Sequence, residues 1–218
     1  MDKILIIGTG GLAREFTSWF KDSFEIVGYS SNEHNDHSEF NLPGILYTEN
    51  VTPDLIGTDL AVMCIGNSVI KKRVYNEFSR AGFSFPTFVH HSSVYSESAT
   101  LQDGVIIAPQ CVVSPNVKIG KLTYINFCCG IGHDAIVGDF VQMNPGSQIG
   151  GESKIGDQVL IGTNSVVLQG ISIGDGATVA SGAVIFSRIS EGVTIIRNPG
   201  KRMSAFDKNL FNLFHIVF

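Results

Sequence analysis

The sequence predicts a small α/β Rossmann-like N-terminal domain followed by a parallel β-helix of hexapeptide repeats. The boundaries are residues 1–88 for the head, 89–202 for the β-helix, and 203–218 for a C-terminal tail. Two observations carry this. An aliphatic side chain recurs every sixth residue through the middle of the chain, and short strands alternate with helices before it. Composition agrees: Gly is 24 of 218 residues and only 16% are charged, against roughly 25% charged in an average soluble protein.

The first strand is the apolar run Lys3 to Gly8, followed by a tight Gly8-Thr9-Gly10-Gly11 turn and a helix over Leu12 to Lys21. Glu25 to Tyr29 and Leu60 to Gly66 read as further strands. Asn67-Ser68 caps a helix running to Arg80, with Val69, Ile70, Val74 and Phe78 at helical spacing as its apolar face. Alternating strands and helices predict a small parallel sheet. A strand near Phe85–Val89 leads into the repeats.

The repeats start at Leu101 and step by six through Ile107, Val113, Ile119, Ile125, Ile131, Val137 and Met143. They continue through Ile149, Ile155, Ile161, Val167, Ile173, Val179 and Ile185. With about 40% of residues apolar, fifteen successive hits have odds of roughly one in a million. A period of six is not helical. It fits a two-residue strand and a bend, with the anchor and the small residue two before it both facing inward. Three hexads per turn of a triangular prism give five coils. Gly follows seven anchors, which predicts a turn with unusual backbone angles there. The tail, with Phe206, Leu210, Phe211, Leu213, Phe214 and Ile216, reads as a short helix packing on the prism or on a neighbouring subunit.

Composition excludes several classes. A net charge of −5 argues against general nucleic-acid binding. The apolar run Ile4 to Ile7 is too short for a signal-peptide core, and no run approaches a membrane span. Cys64, Cys111, Cys128 and Cys129 lack metal-site spacing and read as small buried side chains in a reducing cytosol.

Two places carry chemistry. Gly8-x-Gly10-x-x-Ala13 fits a relaxed phosphate-binding turn at a helix start. An NAD site would need an acid at the end of the second strand, where the chain reads Tyr29-Ser30-Ser31-Asn32. Nucleotide or nucleotide-sugar binding and a purely structural turn both stay open. The repeats hold one histidine, His133, with Asp134 beside it on a bend. Gly151 is eighteen residues on, one coil higher, and leaves room beside the imidazole. A neutral imidazole can take a proton near pH 7, and a nearby carboxylate raises its basicity. The alternative is an ordinary surface histidine.

Four segments together resemble a known family: Gly8-Thr9-Gly10-Gly11-Leu12-Ala13-Arg14-Glu15, the run Cys64-Ile65-Gly66-Asn67 through Tyr75, Gly132-His133-Asp134-Ala135 through Phe140, and Asn198-Pro199-Gly200-Lys201-Arg202-Met203. They are similar to the nucleotide-amino-sugar N-acetyltransferases and sialic-acid O-acetyltransferase-like proteins of bacterial surface glycan synthesis. The resemblance implies a left-handed β-helix and a homotrimer, with acetyl-CoA as co-substrate between neighbouring prisms and a nucleotide-linked amino sugar on the head. It implies His133 as general base, Asp134 as its support, Asn126 near the acceptor sugar, and the Gly151 N–H at the thioester oxygen. Thr163 and Ser181 match positions along the CoA arm. Lys201 and Arg202 are placed to meet CoA phosphates, a solvated basic turn being the alternative. Gly10, Gly11 and Gly66 match turns around the nucleotide. The chain departs from the pattern at three places. Leu12 stands where many members have His, Ser30-Ser31-Asn32 where an acidic pair often reads the base, and Gln142 where a second His often meets the acyl donor.

The expected activity is therefore acetyl-CoA-dependent N-acetylation of the 4-amino group of a nucleotide-linked dideoxysugar, by a cytoplasmic enzyme in O-antigen or capsule biosynthesis. No metal, nucleic acid or membrane span is expected. Sugar O-acetylation and a non-catalytic nucleotide-sugar-binding scaffold are the alternatives. A zinc hydratase would need three converging histidines, and residues 101–190 hold only His133.

Overall fold

The computed structural model describes residues 1–32, 35–49 and 51–196. Lys201, Arg202 and the expected tail helix lie outside the described residues. The head is a four-stranded parallel sheet, β1 (Lys3–Ile7), β2 (Glu25–Ser30), β3 (Ile45–Tyr47) and β4 (Ala61–Met63), in the order β3-β2-β1-β4. Helices α1 (Gly11–Phe20), α2 (Asn35–Glu39), α3 (Pro53–Ile56) and α4 (Ser68–Arg80) connect and cover it. Strand β3 and the two short helices were not predicted. Strand β3 is three residues long at the sheet edge, with Ile45 exposed, so it shows no buried periodicity.

The turn before α1 needs glycine at Gly8, where φ is +109° and an added Cβ would lie 2.8 Å from the Cys64 carbonyl oxygen. Helix α4 starts as expected, with Asn67 Oδ1 accepting from the N–H groups of Val69 and Ile70 at 3.1 and 3.0 Å. Of the predicted face, Val74 and Phe78 are half-buried and pack on the cluster of Leu5, Ile7 and Phe85, but the first turn departs from it. Val69 is 71% exposed and Ile70 is also exposed, whereas Lys71 is 1% exposed.

After the head, two-residue strands stack as a three-faced prism. A first face of seven strands runs from Phe88–Val89 to Thr194–Ile195. A second of six runs from Val94–Tyr95 to Val184–Ile185, and a third of five from Thr100–Leu101 to Ser172–Ile173. Every pairing is parallel, with an eighteen-residue step as in Gly130↔Gln148 and Ile131↔Ile149, except in the last coil, where Thr178↔Thr194 shortens it to sixteen. The prism is thus longer than the fifteen predicted hexads. Phe88–Val89, expected as a lead-in, is its first strand. Tyr95 also lies on the six-residue grid, although it is aromatic and therefore fell outside the aliphatic pattern.

The anchors and the small residues two before them form one buried column, Val105 and Ile107 at one end and Ala183 and Ile185 at the other. Where the small residue is hydroxylic it is satisfied locally. Thr123 donates to the Gly138 carbonyl at 2.8 Å, and Ser165 to that of Gly162 at 2.7 Å. These buried donors therefore avoid the penalty of an unpaired polar group.

The role predicted for the glycines after the anchors is corrected. None of the seven has a positive φ. The left-handed residue is two places later, as at Asn116, Asp134 and Glu152 (φ 60°, 59° and 60°). The glycines serve close coil stacking instead: a Cβ on Gly150 would lie 2.5 Å from the Gln169 backbone nitrogen, and one on Gly162 equally near that of Ser181.

The head packs on the first face and on the corner it shares with the third. Phe88, Ile106 and Tyr124 join Phe16 and Phe20 in one cluster, and Leu122 and Phe140 join Leu5, Ile7 and Phe85 in another. Phe16 meets Phe88 edge-on at 4.9 Å between ring centres. Each such buried ring contributes about 1.5–3 kcal/mol relative to exposure. Cys64, Cys111 and Cys129 are buried, but Cys128 is exposed on its bend with φ 59°, so the expectation of buried thiols holds for three of the four.

Candidate functional site

His133 and Asp134 occupy the corner between the second and third faces, opposite the face that the head covers. Their side chains are about half exposed (53% and 50%). His133 Nδ1 lies 2.8 Å from Asp134 Oδ2. Asn116, one coil below, donates from Nδ2 to Asp134 Oδ1 at 3.0 Å. This bond first, and His133 second, hold the Asp134 carboxyl below its ordinary range. An ionised Asp134 accepts a hydrogen bond from Nδ1–H, the tautomer that leaves Nε2 with its lone pair free. Asn116 was not singled out in the sequence. The eighteen-residue step from Asn116 to Asp134, on a corner where both are left-handed, was the signal available.

Gly151 stacks over the ring as expected. A Cβ there would lie 2.8 Å from His133 Nε2. Its backbone N–H has no hydrogen-bond partner among the described residues. The corner between the third and first faces shows the contrast. There Asp139 and Asp157 accept from the N–H groups of Lys121 and Asp139, one coil below each, at 2.9 and 2.8 Å. The His133 corner has no such carboxylate ladder, so a donor is left facing out beside the imidazole.

The other predicted prism residues lie elsewhere. Asn126, Thr163 and Ser181 share the corner between the first and second faces. Asn126 is buried and its Oδ1 accepts from the Phe127 N–H at 2.8 Å. Thr163 and Ser181 are stacked one coil apart, with the Gly182 N–H donating to the Thr163 carbonyl at 2.7 Å. One chain does not bring this corner to His133, because the second face separates them.

Gln142 points outward from the first face but is 3% exposed beneath the head. Its Oε1 accepts from Lys71 Nζ at 3.3 Å, and Lys71 also donates to the Leu122 carbonyl at 3.3 Å. Burial pushes the Lys71 ammonium down to about 7, with the neighbouring Cys64 acting in the opposite sense. Within the chain Gln142 therefore faces the head and not an open groove.

In the head, a cavity of about 370 Å³ opens beside the glycine turn. It brings together the predicted Gly10, Ser30 and Ser31. Gly8, Thr9, Asn32, Arg73 and Glu77 also line it. The Gly8 N–H donates to the Ser30 carbonyl at 2.8 Å, and Thr9 Oγ1 to Ser31 Oγ at 3.2 Å, which ties the turn to the end of β2. Gly10 has no atom within 4 Å of an added Cβ, and Gly11 only Arg14 at 4.0 Å. Gly11, Leu12 and Gly66 flank the cavity without lining it. Leu12 packs against Gly66, at 3.5 Å from the site of its missing Cβ. Arg73 and Glu77 were not singled out, since their four-residue spacing on α4 also suits any solvated helix face.

Residues 152–187 match the family model described as bacterial transferase hexapeptide (six repeats). Over 84 residues the chain is 32% identical to GDP-perosamine N-acetyltransferase of Escherichia coli O157:H7, a match spanning 38% of this chain and 38% of that relative's length. A mutant GDP-perosamine N-acetyltransferase from Caulobacter crescentus, solved with CoA and GDP-perosamine, superposes with TM-score 0.72 at 20% identity, over 92% of this chain and 96% of that one. WeeI from Acinetobacter baumannii AYE gives 0.74 at 21% identity, over 92% and 99% of the two chains. The acetyltransferase domain of PglB from Neisseria gonorrhoeae FA1090, solved with acetyl coenzyme A, gives 0.67 at 22%, over 92% and 98%. The chain carries hexapeptide repeats and has the fold of these structures: a small parallel-sheet head on a parallel β-helix.

Proposed function

We propose that the protein is an acetyl-CoA-dependent N-acetyltransferase acting on the 4-amino group of a nucleotide-linked dideoxysugar, in bacterial surface glycan synthesis of the O-antigen or capsule kind. The observation that carries this is the imidazole of His133, oriented through Nδ1 by Asp134 with Nε2 over a side-chain-free Gly151. The similar proteins named for amino-sugar N-acetylation support the amine over a hydroxyl as acceptor.

The sugar nitrogen attacks the thioester carbonyl carbon, and His133 Nε2 removes its proton as the C–N bond forms. The Gly151 N–H donates to the developing oxyanion. The tetrahedral centre collapses with cleavage of the C–S bond, and the imidazolium returns the proton to the leaving thiolate. The products are the N-acetyl sugar and CoA. Asp134 stays ionised throughout and stabilises the transient imidazolium.

We place the site between chains. The base and the Thr163–Ser181 column stand on the two edges of the second face, and the head covers neither the base nor its corner. Val94, Val112 and Val184 expose apolar surface on that face. In a homotrimer with this face turned to the axis, the His133 edge of one chain lies beside the Thr163–Ser181 edge and the head of the next. Acetyl-CoA would lie along that groove, with Lys201 and Arg202 available to its phosphates. No helix among the described residues is long and apolar enough to cross a membrane.

The test is thiol release from acetyl-CoA with a panel of nucleotide-linked 4-amino sugars, GDP-perosamine among them, and matched 4-hydroxy sugars. Amine-dependent release is expected. Turnover with the hydroxy sugars alone would replace N- by O-acetylation, and binding without any turnover would leave a scaffold.

A further inference from the structure

Among the described residues three buried side-chain polar atoms have no hydrogen-bond partner: Glu15 Oε2, His37 Nε2 and the hydroxyl oxygen of Tyr124. Native proteins leave few such atoms, and each calls for a reason. Two of the three meet at one place. Glu15 lies on α1 and Tyr124 on the first prism face, across the junction between head and prism. Burial raises the Glu15 carboxyl above its ordinary range, while Arg14 and then the Tyr124 hydroxyl act on it in the opposite sense. Tyr124 is 1% exposed, so bulk water does not serve its hydroxyl. A phenol donor and a carboxyl acceptor are thus enclosed together with no hydrogen bond closed between them.

The two ends of α1 are held differently. Its C-terminal half is fixed by rings: Phe16 and Phe20 pack on Phe88 at 4.9 and 5.7 Å, and Trp19 meets Phe127 at 6.5 Å. Its start is thinly packed. No side chain caps it. A Cβ on Gly10 would meet nothing within 4 Å, and one on Gly11 only Arg14 at 4.0 Å. Glu15 is one helical turn from Gly11 and on the same side of the helix. The unserved pair therefore lies one turn behind the glycine turn that lines the head cavity.

Resting on the nucleotide-sugar reading above, we infer that Glu15 and Tyr124 form a ligand-linked latch, in which the Tyr124 hydroxyl donates to the Glu15 carboxylate only when an anionic ligand occupies the turn before α1. Both are positioning residues, and neither touches the ligand. A diphosphate that accepts from the first N–H groups of α1 fixes this end of the helix. The closed hydrogen bond fixes the same end from one turn below. Ordering the helix start once serves both, so each event favours the other. The ligand-free chain keeps a buried donor without an acceptor, which destabilises it relative to the closed state.

This origin gives the test an unusual sign. Thermal melts and calorimetric titrations of the full chain, with GDP and UDP as probes, supply it. Tyr124→Phe should leave the Tm of the ligand-free protein unchanged or raised, because it removes a donor that has no acceptor. The same variant should bind the diphosphate that wild type prefers roughly fivefold or more weakly, and saturating diphosphate should raise its Tm by less than it raises that of wild type. Glu15→Leu should weaken binding by itself but add nothing to Tyr124→Phe, since either change removes the latch. A fall in the ligand-free Tm of Tyr124→Phe would mean a hydroxyl already bonded, to a buried water or to Glu15, and would overturn the latch. Diphosphate affinity equal to that of wild type would do the same. Either result leaves the nucleotide reading intact, whereas failure of wild type to bind either diphosphate removes that reading and the latch with it.

Discussion

Lys71 provides a measurable link between the head and the prism. It is 1% exposed, and its Nζ donates to the Leu122 carbonyl and to Gln142 Oε1, both at 3.3 Å. No carboxylate answers its charge. Cys64 is the titratable group acting directly on it, and Glu15 acts in turn on Cys64. With the native amine brought down to about 7 from an ordinary 10.5, the unfolded chain binds a proton that the folded chain does not hold anywhere between those two values. Stability therefore falls as pH drops through that window and levels off below about 7. The slope approaches 1.36 kcal/mol per pH unit. Above roughly pH 8.5, the ordinary thiol value, burial of Cys64 opposes the trend, because its pKa is pushed up and the unfolded chain ionises first. The clean interval is pH 7.0 to 8.5, over which wild type should gain about 1.5 kcal/mol from Lys71, or roughly 3–6 °C in Tm for a chain of this size.

Lys71→Met keeps most of the volume and removes the titration. Met leaves two acceptors unserved, at about 1–3 kcal/mol each, but it also removes a buried amine, so the level of stability at one pH is not diagnostic. The slope is. Melting curves of the two proteins at half-unit steps should converge or diverge by that amount across the interval. Parallel curves would refute the claim that Lys71 is held largely neutral in the native junction.

Three further outcomes follow from the site. His133→Ala should lower kcat by roughly 10²–10⁴-fold with little change in Tm, since the side chain is half exposed, and Asp134→Asn should lose less; retention of a third of wild-type kcat would remove His133 as the base. Gly11→Val meets nothing but Arg14 at 4.0 Å, so the fold should tolerate it while the acceptor KM rises far more than that for acetyl-CoA; equal rises would count against phosphate binding at the turn. Sedimentation should show a trimer that Val112→Asp weakens, and a fully active monomer would exclude a site shared between chains.

The prism was legible because its inward positions repeat in one dimension. Ile131, Ile149 and Val167 are buried by their own neighbours one coil away, so a single period records both the strand and its burial. The same period placed Gly151 over His133. The head was less legible because its short elements are defined by contacts distant in sequence. Strand β3 exists only because Ile45–Tyr47 pairs with Gly28–Ser30, and nothing local requires it.

The misplacement of Val69 and Ile70 in the first turn of α4 has the same origin. Helical spacing of Val69, Ile70, Val74 and Phe78 says that one side of a helix is apolar, but not which surface will meet it. Val74 and Phe78 meet the head core, but at Lys71 the partner is the prism, which presents the Leu122 carbonyl from its corner and the Gln142 amide from its first face. A lysine fits those acceptors, whereas a valine would leave them unpaired. Gln142 follows from the same contact. Resemblance assigned it to the acyl donor, yet in the folded chain its Oε1 is already engaged by Lys71. An acyl-donor role for Gln142 must therefore run through the head, by way of Lys71 and α4. Loss of Lys71 would then alter the acetyl-CoA KM as well as stability, whereas a purely structural latch would change stability alone.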